Sequence, residues 1–166
     1  MEMRENMPTC FVIQPFNDKF NSRYDDTFKK AIEAAGLTAY RVDKDQSSTV
    51  LIESIELEIK KSAICFADIT EDNPNVWYEL GFAFAAGKKV VMACERGRNN
   101  LPFDIRHRTV IYYKTDSLSD YKKLEKDITS KIKAMLDQPK SIASIQVDKN
   151  LEPTVDLNPA EISVLS

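Results

Sequence analysis

Along this chain, short unbroken apolar runs alternate with segments whose apolar residues return every third or fourth position. The runs fall at 9–14 (Thr-Cys-Phe-Val-Ile-Gln), 37–42, 63–67, 89–94 and 109–113. A strand that is apolar on both faces must be covered on both faces, which is the situation of a parallel sheet sandwiched by helices. The spacing predicts helices over 24–35, 50–61, 74–86 and 118–136. Tyr24, Phe28, Ala31, Ile32 and Ala35 make one stripe, and Val50, Leu51, Ile55 and Ile59 a second. Leu118, Tyr121, Leu124, Ile128, Ile132 and Met135 make the last. The order predicts an α/β fold with a five-stranded parallel sheet in a three-layer α/β/α arrangement.

Local signals agree with this partition. Gly36 and Gly87 stand where helices stop, and Pro74 suits a first helical turn with Asn73 as its N-cap. Asp116 or Ser117 caps the last helix. The stretches between Pro15 and Tyr24, from Asp43 to Thr49 and from Asp104 to Arg108 read as polar or charged loops. Residues 1–137 form one domain in this reading. Residues 138–166 carry Pro139, Pro153 and Pro159, no aromatic residue and no period, and read as a tail or linker.

Scarcity narrows the chemistry. The 166 residues include four Gly, where average usage would supply about 12. No two of them form G-x-G, which excludes the dinucleotide fingerprint and the P-loop. The single His107 leaves no multi-histidine metal site, and no metal site is expected. Cys10, Cys65 and Cys94 lack C-x-x-C spacing and fall inside expected strands, as small buried apolar residues. A net charge of −3 without a basic stripe argues against nucleic-acid binding. No secretory leader and no apolar stretch long enough to cross a bilayer is visible, so no membrane partner and a cytoplasmic location are expected. Carboxylates, amides and aromatics must carry the chemistry unless His107 does.

In open α/β sheets, ligands bind beyond the carboxyl ends of the strands. Those ends present Pro15 and Phe16, then Arg41 and Asp43, then Asp68 and Thr70, and the run Asn73-Pro74-Asn75. Glu79 is the unusual residue, because it is the only strong acid or base between Asp72 and Lys88. Its helix is apolar nearly all round, and a carboxylate there is costly without a partner or a task. It is expected to open into a crevice with Asp68 within reach. Gly81, in mid-helix, marks either a close approach by another backbone or by a ligand, or tight helix–sheet packing. Asn73 and Asn75 also serve as helix caps, Arg41 and Asp43 as a plain ion pair, and Asp68 as a turn acceptor.

Phe11-Val-Ile-Gln-Pro-Phe16, Tyr40-Arg-Val-Asp43, Ala67-Asp-Ile-Thr70, Asn73-Pro-Asn-Val-Trp-Tyr-Glu-Leu-Gly81 and Pro102-Phe-Asp104 together resemble bacterial TIR-like domains, which are related to nucleoside 2-deoxyribosyltransferases. The resemblance spans about residues 9–113, and the Asn73–Gly81 segment is its specific part. It implies a flavodoxin-like fold and cleavage of an N-glycosidic bond, with NAD as a substrate and no cofactor. It makes Glu79 nucleophile or electrostatic stabiliser, with Asp68 assisting. Asp68 and Asn75 would hold ribose hydroxyls. Phe16 and Tyr78 would wall the base, and Pro15, Arg41, Asp43, Asn73 and Phe103 would complete the substrate site. The expected partners are a nucleotide or nucleoside, a second copy of the chain in a homo-oligomer, and an attached sensor module, as in antiviral effectors. Deoxyribosyl transfer or nucleoside hydrolysis is the alternative activity, and a non-catalytic nucleotide-binding or assembly module the alternative class.

Overall fold

A computed structural model describes residues 7–44 and 52–139. It contains one five-stranded sheet: β1 (Thr9–Ile13), β2 (Thr38–Tyr40), β3 (Ile64–Asp68), β4 (Val90–Glu95) and β5 (Val110–Tyr113). The spatial order is β2-β1-β3-β4-β5, and every pairing is parallel. This is the flavodoxin-like α/β arrangement expected above. The strand order reverses at β1, so the topological switch point lies at the carboxyl ends of β1 and β3.

Both faces are covered. On one face pack α1 (Asp18–Arg23), α2 (Lys29–Ala34) and α6 (Leu118–Asp137). Phe28, Ile32, Leu124, Ile128 and Ile132 there meet Cys10, Val12, Phe66 and Val91 of the sheet. On the other face pack α3 (Ile52–Lys61), α4 (Pro74–Ala85) and α5 (Phe103–Arg106), whose Ile59, Val76, Leu80, Ala83 and Ile105 meet Phe11, Ile13, Cys65 and Ala67. Consecutive strand residues thus enter opposite cores, the period of two that a pleated strand imposes. The three cysteines are fully buried in β1, β3 and β4, and burial raises each thiol pKa, so they pack as apolar residues.

The structure departs from the sequence reading at five places. The first helix starts at Asp18, not Tyr24, because Asn17 accepts from the Phe20 N–H and caps it. Between α1 and α2 the backbone stays helical through a wide π turn, Tyr24–Phe28. Phe20, Tyr24, Phe28 and Ile32 are all buried at strict four-residue spacing. In a plain α-helix such a ladder drifts about 40° per step, and a wider turn takes up the drift. A single-turn helix, α5, occupies part of the charged segment before β5. Leu118 is 73% exposed at the start of α6 and does not join its stripe. Gly81 is exposed, and a Cβ built there meets nothing within 4 Å, so neither another backbone nor tight packing explains it. Val50, Leu51 and residues 140–166 of the expected tail lie outside the described residues.

Candidate functional site

The expected site residues fall into three groups along the carboxyl edge of the sheet. The first is built on Arg41, which follows β2 with its side chain sealed from solvent. Its Nε donates to Asp43 Oδ1 at 2.8 Å and its Nη2 to Asp43 Oδ2 and to Asn21 Oδ1. The guanidinium also lies 4.7 Å from the Tyr24 ring centroid and 5.4 Å from that of Phe16. Such a planar, paired and stacked cation is work that Arg does and Lys does not. Pro15 is buried and Phe16 is 50% exposed, so the ring of Phe16 offers a face at the switch point.

Two buried polar atoms here have no hydrogen-bond partner among the described residues. They are Arg41 Nη1, a donor, and Gln14 Oε1, an acceptor. The two heads converge on one turn of α1, because Gln14 Nε2 donates to the Phe20 carbonyl and Arg41 to Asn21. Gln14 was invisible as a site residue because it ends an apolar run and reads as the strand's polar stop.

The second group surrounds Asp68, which is fully buried at the end of β3. It accepts from the Tyr113 hydroxyl at 2.5 Å and from the Thr70 N–H at 2.9 Å. Arg23 donates to the Tyr113 oxygen and to Glu95, both at 2.8 Å, and Thr115 donates to Glu95. Burial raises the Asp68 pKa, and the hydrogen bonds from Thr70 and Tyr113 oppose it. Burial next to Asp68 also raises the Tyr113 hydroxyl far above its ordinary value. Burial holds the Glu95 carboxyl back, but Arg23 and Thr115 outweigh it and the net direction is down. Arg23 and Tyr113 escape the sequence reading, since one belongs to a polar stretch and the other to a strand's apolar run.

The third group lies on α4. Asn73 caps this helix, its Oδ1 accepting from the Asn75 and Val76 N–H groups at 3.0 and 3.2 Å. Asn75 is exposed. Tyr78, 48% exposed, donates to Glu56 Oε1 at 2.5 Å and ties α4 to α3. Glu79 is only 6% exposed, so its carboxyl does not point into bulk solvent. Burial alone pushes it up to about 7, and among the described residues no hydrogen bond or ion pair reaches it. The helix dipole fades after the first turn, and Glu79 sits in the second, so desolvation wins. It lies close enough to Cys65 of β3 to raise that thiol.

Among the described residues no hydrogen bond joins Asp68 to Glu79. Ala67 belongs to the core under α4, and Asp68, one residue on, turns to the opposite face with Tyr113. The pleat directs the Asp68 side chain toward Tyr113 and not toward α4. Phe103 begins α5, and nothing is described of its side chain. Among the described residues no cluster of three or more His, Cys, Asp or Glu is placed to hold a metal ion, and no helix is long and apolar enough to cross a membrane.

No family model matches the sequence, and no curated protein matches it. Solved structures do resemble it. The TIR domain of a Toll-related receptor from Hydra magnipapillata superposes with a TM-score of 0.59 at 13% identity, covering 78% of this chain and 98% of that one. A CMP N-glycosidase from Clostridium botulinum gives 0.50 at 18% identity, covering 70% and 98%. A diflavin flavoprotein from Nostoc sp. gives 0.57 at 12% identity, covering 86% and 99%. At these identities the likeness establishes a TIR-like, flavodoxin-like fold.

Proposed function

We propose that this chain cleaves an N-glycosidic bond, with Glu79 as the carboxylate beside the anomeric carbon and NAD as the substrate. One observation carries the reading: a buried carboxyl without a partner, on an otherwise apolar helix, poised at about 7 by desolvation. Cleavage of such a bond develops positive charge on the ribose ring, which an ionised carboxylate stabilises or captures. A cationic N-glycoside arriving beside Glu79 favours its ionised form, so substrate binding would itself complete the catalyst.

The engagement of Asp68 with Tyr113 and Thr70 favours NAD over a nucleoside. Nicotinamide departs from its cationic glycoside as a neutral molecule, and water supplies the hydroxyl of the ADP-ribose product with release of one proton. This step needs no general acid. A neutral nucleoside releases its base readily only when a second acid protonates it, and Asp68 is turned to the other face and already bonded to Tyr113 and Thr70. Asp68 then positions the strand end through Tyr113, while Phe16 offers a stacking face to the substrate.

The relation to nucleoside deoxyribosyltransferases supplies the second reading, and the fold likeness to a CMP N-glycosidase motivates testing it. Purified protein is incubated separately with NAD, deoxynucleosides and CMP, and free nicotinamide or base is measured by chromatography. Nicotinamide release by the wild type and its loss in Glu79→Gln is the expected result. Base release from deoxynucleosides or CMP alone would replace the substrate assignment. Equal release by Glu79→Gln would remove Glu79 from the chemistry. No release from any substrate, even by concentrated protein, would favour a nucleotide-binding module.

A further inference from the structure

At the amino edge of the sheet, away from the strand ends discussed above, lies a groove of about 430 Å³ between the last turn of α4 and α6. That volume lies within the usual range of small-molecule sites. Lys88, Lys89, His107, Arg108 and Lys131 line it, with Phe84, and among the described residues no Asp or Glu does. The chain as a whole has more acids than bases, 26 against 23. The larger groove between α1 and α6, about 580 Å³, mixes its lysines with Asp26 and Glu125.

Helix capping accounts for part of this cluster. Lys88 Nζ donates to the Ser62 carbonyl beyond α3 at 2.6 Å, and Lys89 Nζ to the Met135 and Gln138 carbonyls at the end of α6 at 2.6 and 2.9 Å. These acceptors are neutral, so both ammonium charges persist, and each lysine keeps at least one N–H for another acceptor. Capping does not account for Arg108 or Lys131, neither of which has an acidic partner among the described residues. Arg108 instead places its guanidinium carbon over Phe84, 3.7 Å from the ring centroid. That stack fixes the guanidinium and leaves its in-plane N–H groups for an anion, the geometry suited to phosphate. Four cations held together without an acidic partner among the described residues repel one another, and a polyanion relieves that repulsion.

We propose that this groove binds an oligophosphate chain, either free or carried by a nucleotide, at a site separate from the Glu79 edge. Arg108 and Lys131 grip the phosphates, Lys88 and Lys89 supply the surrounding positive field, and a nucleobase, where present, stacks on the Phe84–Arg108 pair.

The test is a calorimetric and NMR titration of the full chain with ATP and with inorganic tripolyphosphate, at low and high salt. Saturable one-to-one binding is expected, weakened by salt, with amide shifts grouped at 88–90, 107–109 and 131. Arg108→Ala and Lys131→Ala should each weaken it about tenfold, the scale of one lost charge-assisted contact. Lys126→Ala, in a different groove of α6, should leave it unchanged. Tighter binding of ATP than of tripolyphosphate assigns the site to a nucleotide, and equal binding to the phosphate chain alone. Binding that never saturates, or that Lys126→Ala weakens as much as Lys131→Ala, would reduce the groove to diffuse charge attraction and overturn the proposal. Arg108→Lys keeps the charge without the planar stack, and thermal melts of each variant separate lost binding from lost folding.

Discussion

Glu79 should make the folded state sensitive to pH in a particular direction. Its carboxyl lies near 4.5 in an unfolded chain and at about 7 in the fold, raised by burial. Below pH 4.5 it is protonated in both states and costs nothing. As the pH rises towards 7 the unfolded chain releases the proton first, so stability falls, and above 7 the full loss is in place. The size of that loss is about 3 kcal/mol, from the conversion between pKa and free energy at a site only 6% exposed. Glu79→Gln keeps the shape and removes the titration. The variant should match the wild type near pH 4.5 and exceed it by about 3 kcal/mol at pH 8, or about 6–12 °C in melting temperature for a chain of this length. Urea denaturation of both proteins across this range reads the difference directly, and comparing the two cancels the other titrating groups, Asp68 included. A constant offset at all pH values would show that Glu79 does not carry the titration. An offset growing towards acid would mean that its carboxylate is stabilised by a partner, and the reasoning from desolvation would fail. If the expected pattern and the loss of nicotinamide release occur in the same variant, the site holds an acid whose burial costs the fold stability.

Three further outcomes follow from neighbouring features. Gly81→Ala should stabilise the protein by about 1 kcal/mol, because the position is helical and open and an added methyl meets nothing within 4 Å; chemical denaturation checks it. Asp43→Asn should cost about 3 kcal/mol, at the lower end for a broken buried pair because Asp43 is 28% exposed while Arg41 is sealed; the readout is again the urea midpoint. Tyr113→Phe should cost about 1–3 kcal/mol and raise the Asp68 pKa further, since it removes the donor to Asp68 and leaves an Arg23 N–H without its acceptor; carbon-detected NMR of the Asp68 carboxyl measures the shift.

The sheet was legible because its strands are buried on both faces, so each wrote an unbroken apolar run such as Phe11-Val-Ile or Val90-Val-Met. The helix bearing Glu79 was legible from Asn73 at its cap and Gly87 beyond its end. The start of the first helix was hidden because Phe20 is its one apolar residue before Tyr24, and because Arg23, a buried cation, carries no hydrophobic signal. Asp68 shows the limit of listing strand ends without their pleat: counting one residue from Ala67 would have placed it away from α4. Arg23, Tyr113 and Gln14 matter through partners distant in sequence, as in the bond from Arg23 to Tyr113, and local pattern does not encode such pairs.

The wide turn Tyr24–Phe28 divides labour along one helix. Upstream of it, Phe20, Asn21 and Arg23 hold Gln14, Arg41, Tyr113 and Glu95, so that half answers to the polar edge. Downstream, Ala31 and Ile32 answer to the apolar core. The turn works as a vernier between two scales, letting the core half keep its own angular setting while the other half tracks the polar clusters. Deleting one residue within 24–28 would lock the scales together and rotate one half against the other by about 100°. Either the core ladder or the grip on Arg41 and Tyr113 would then be lost.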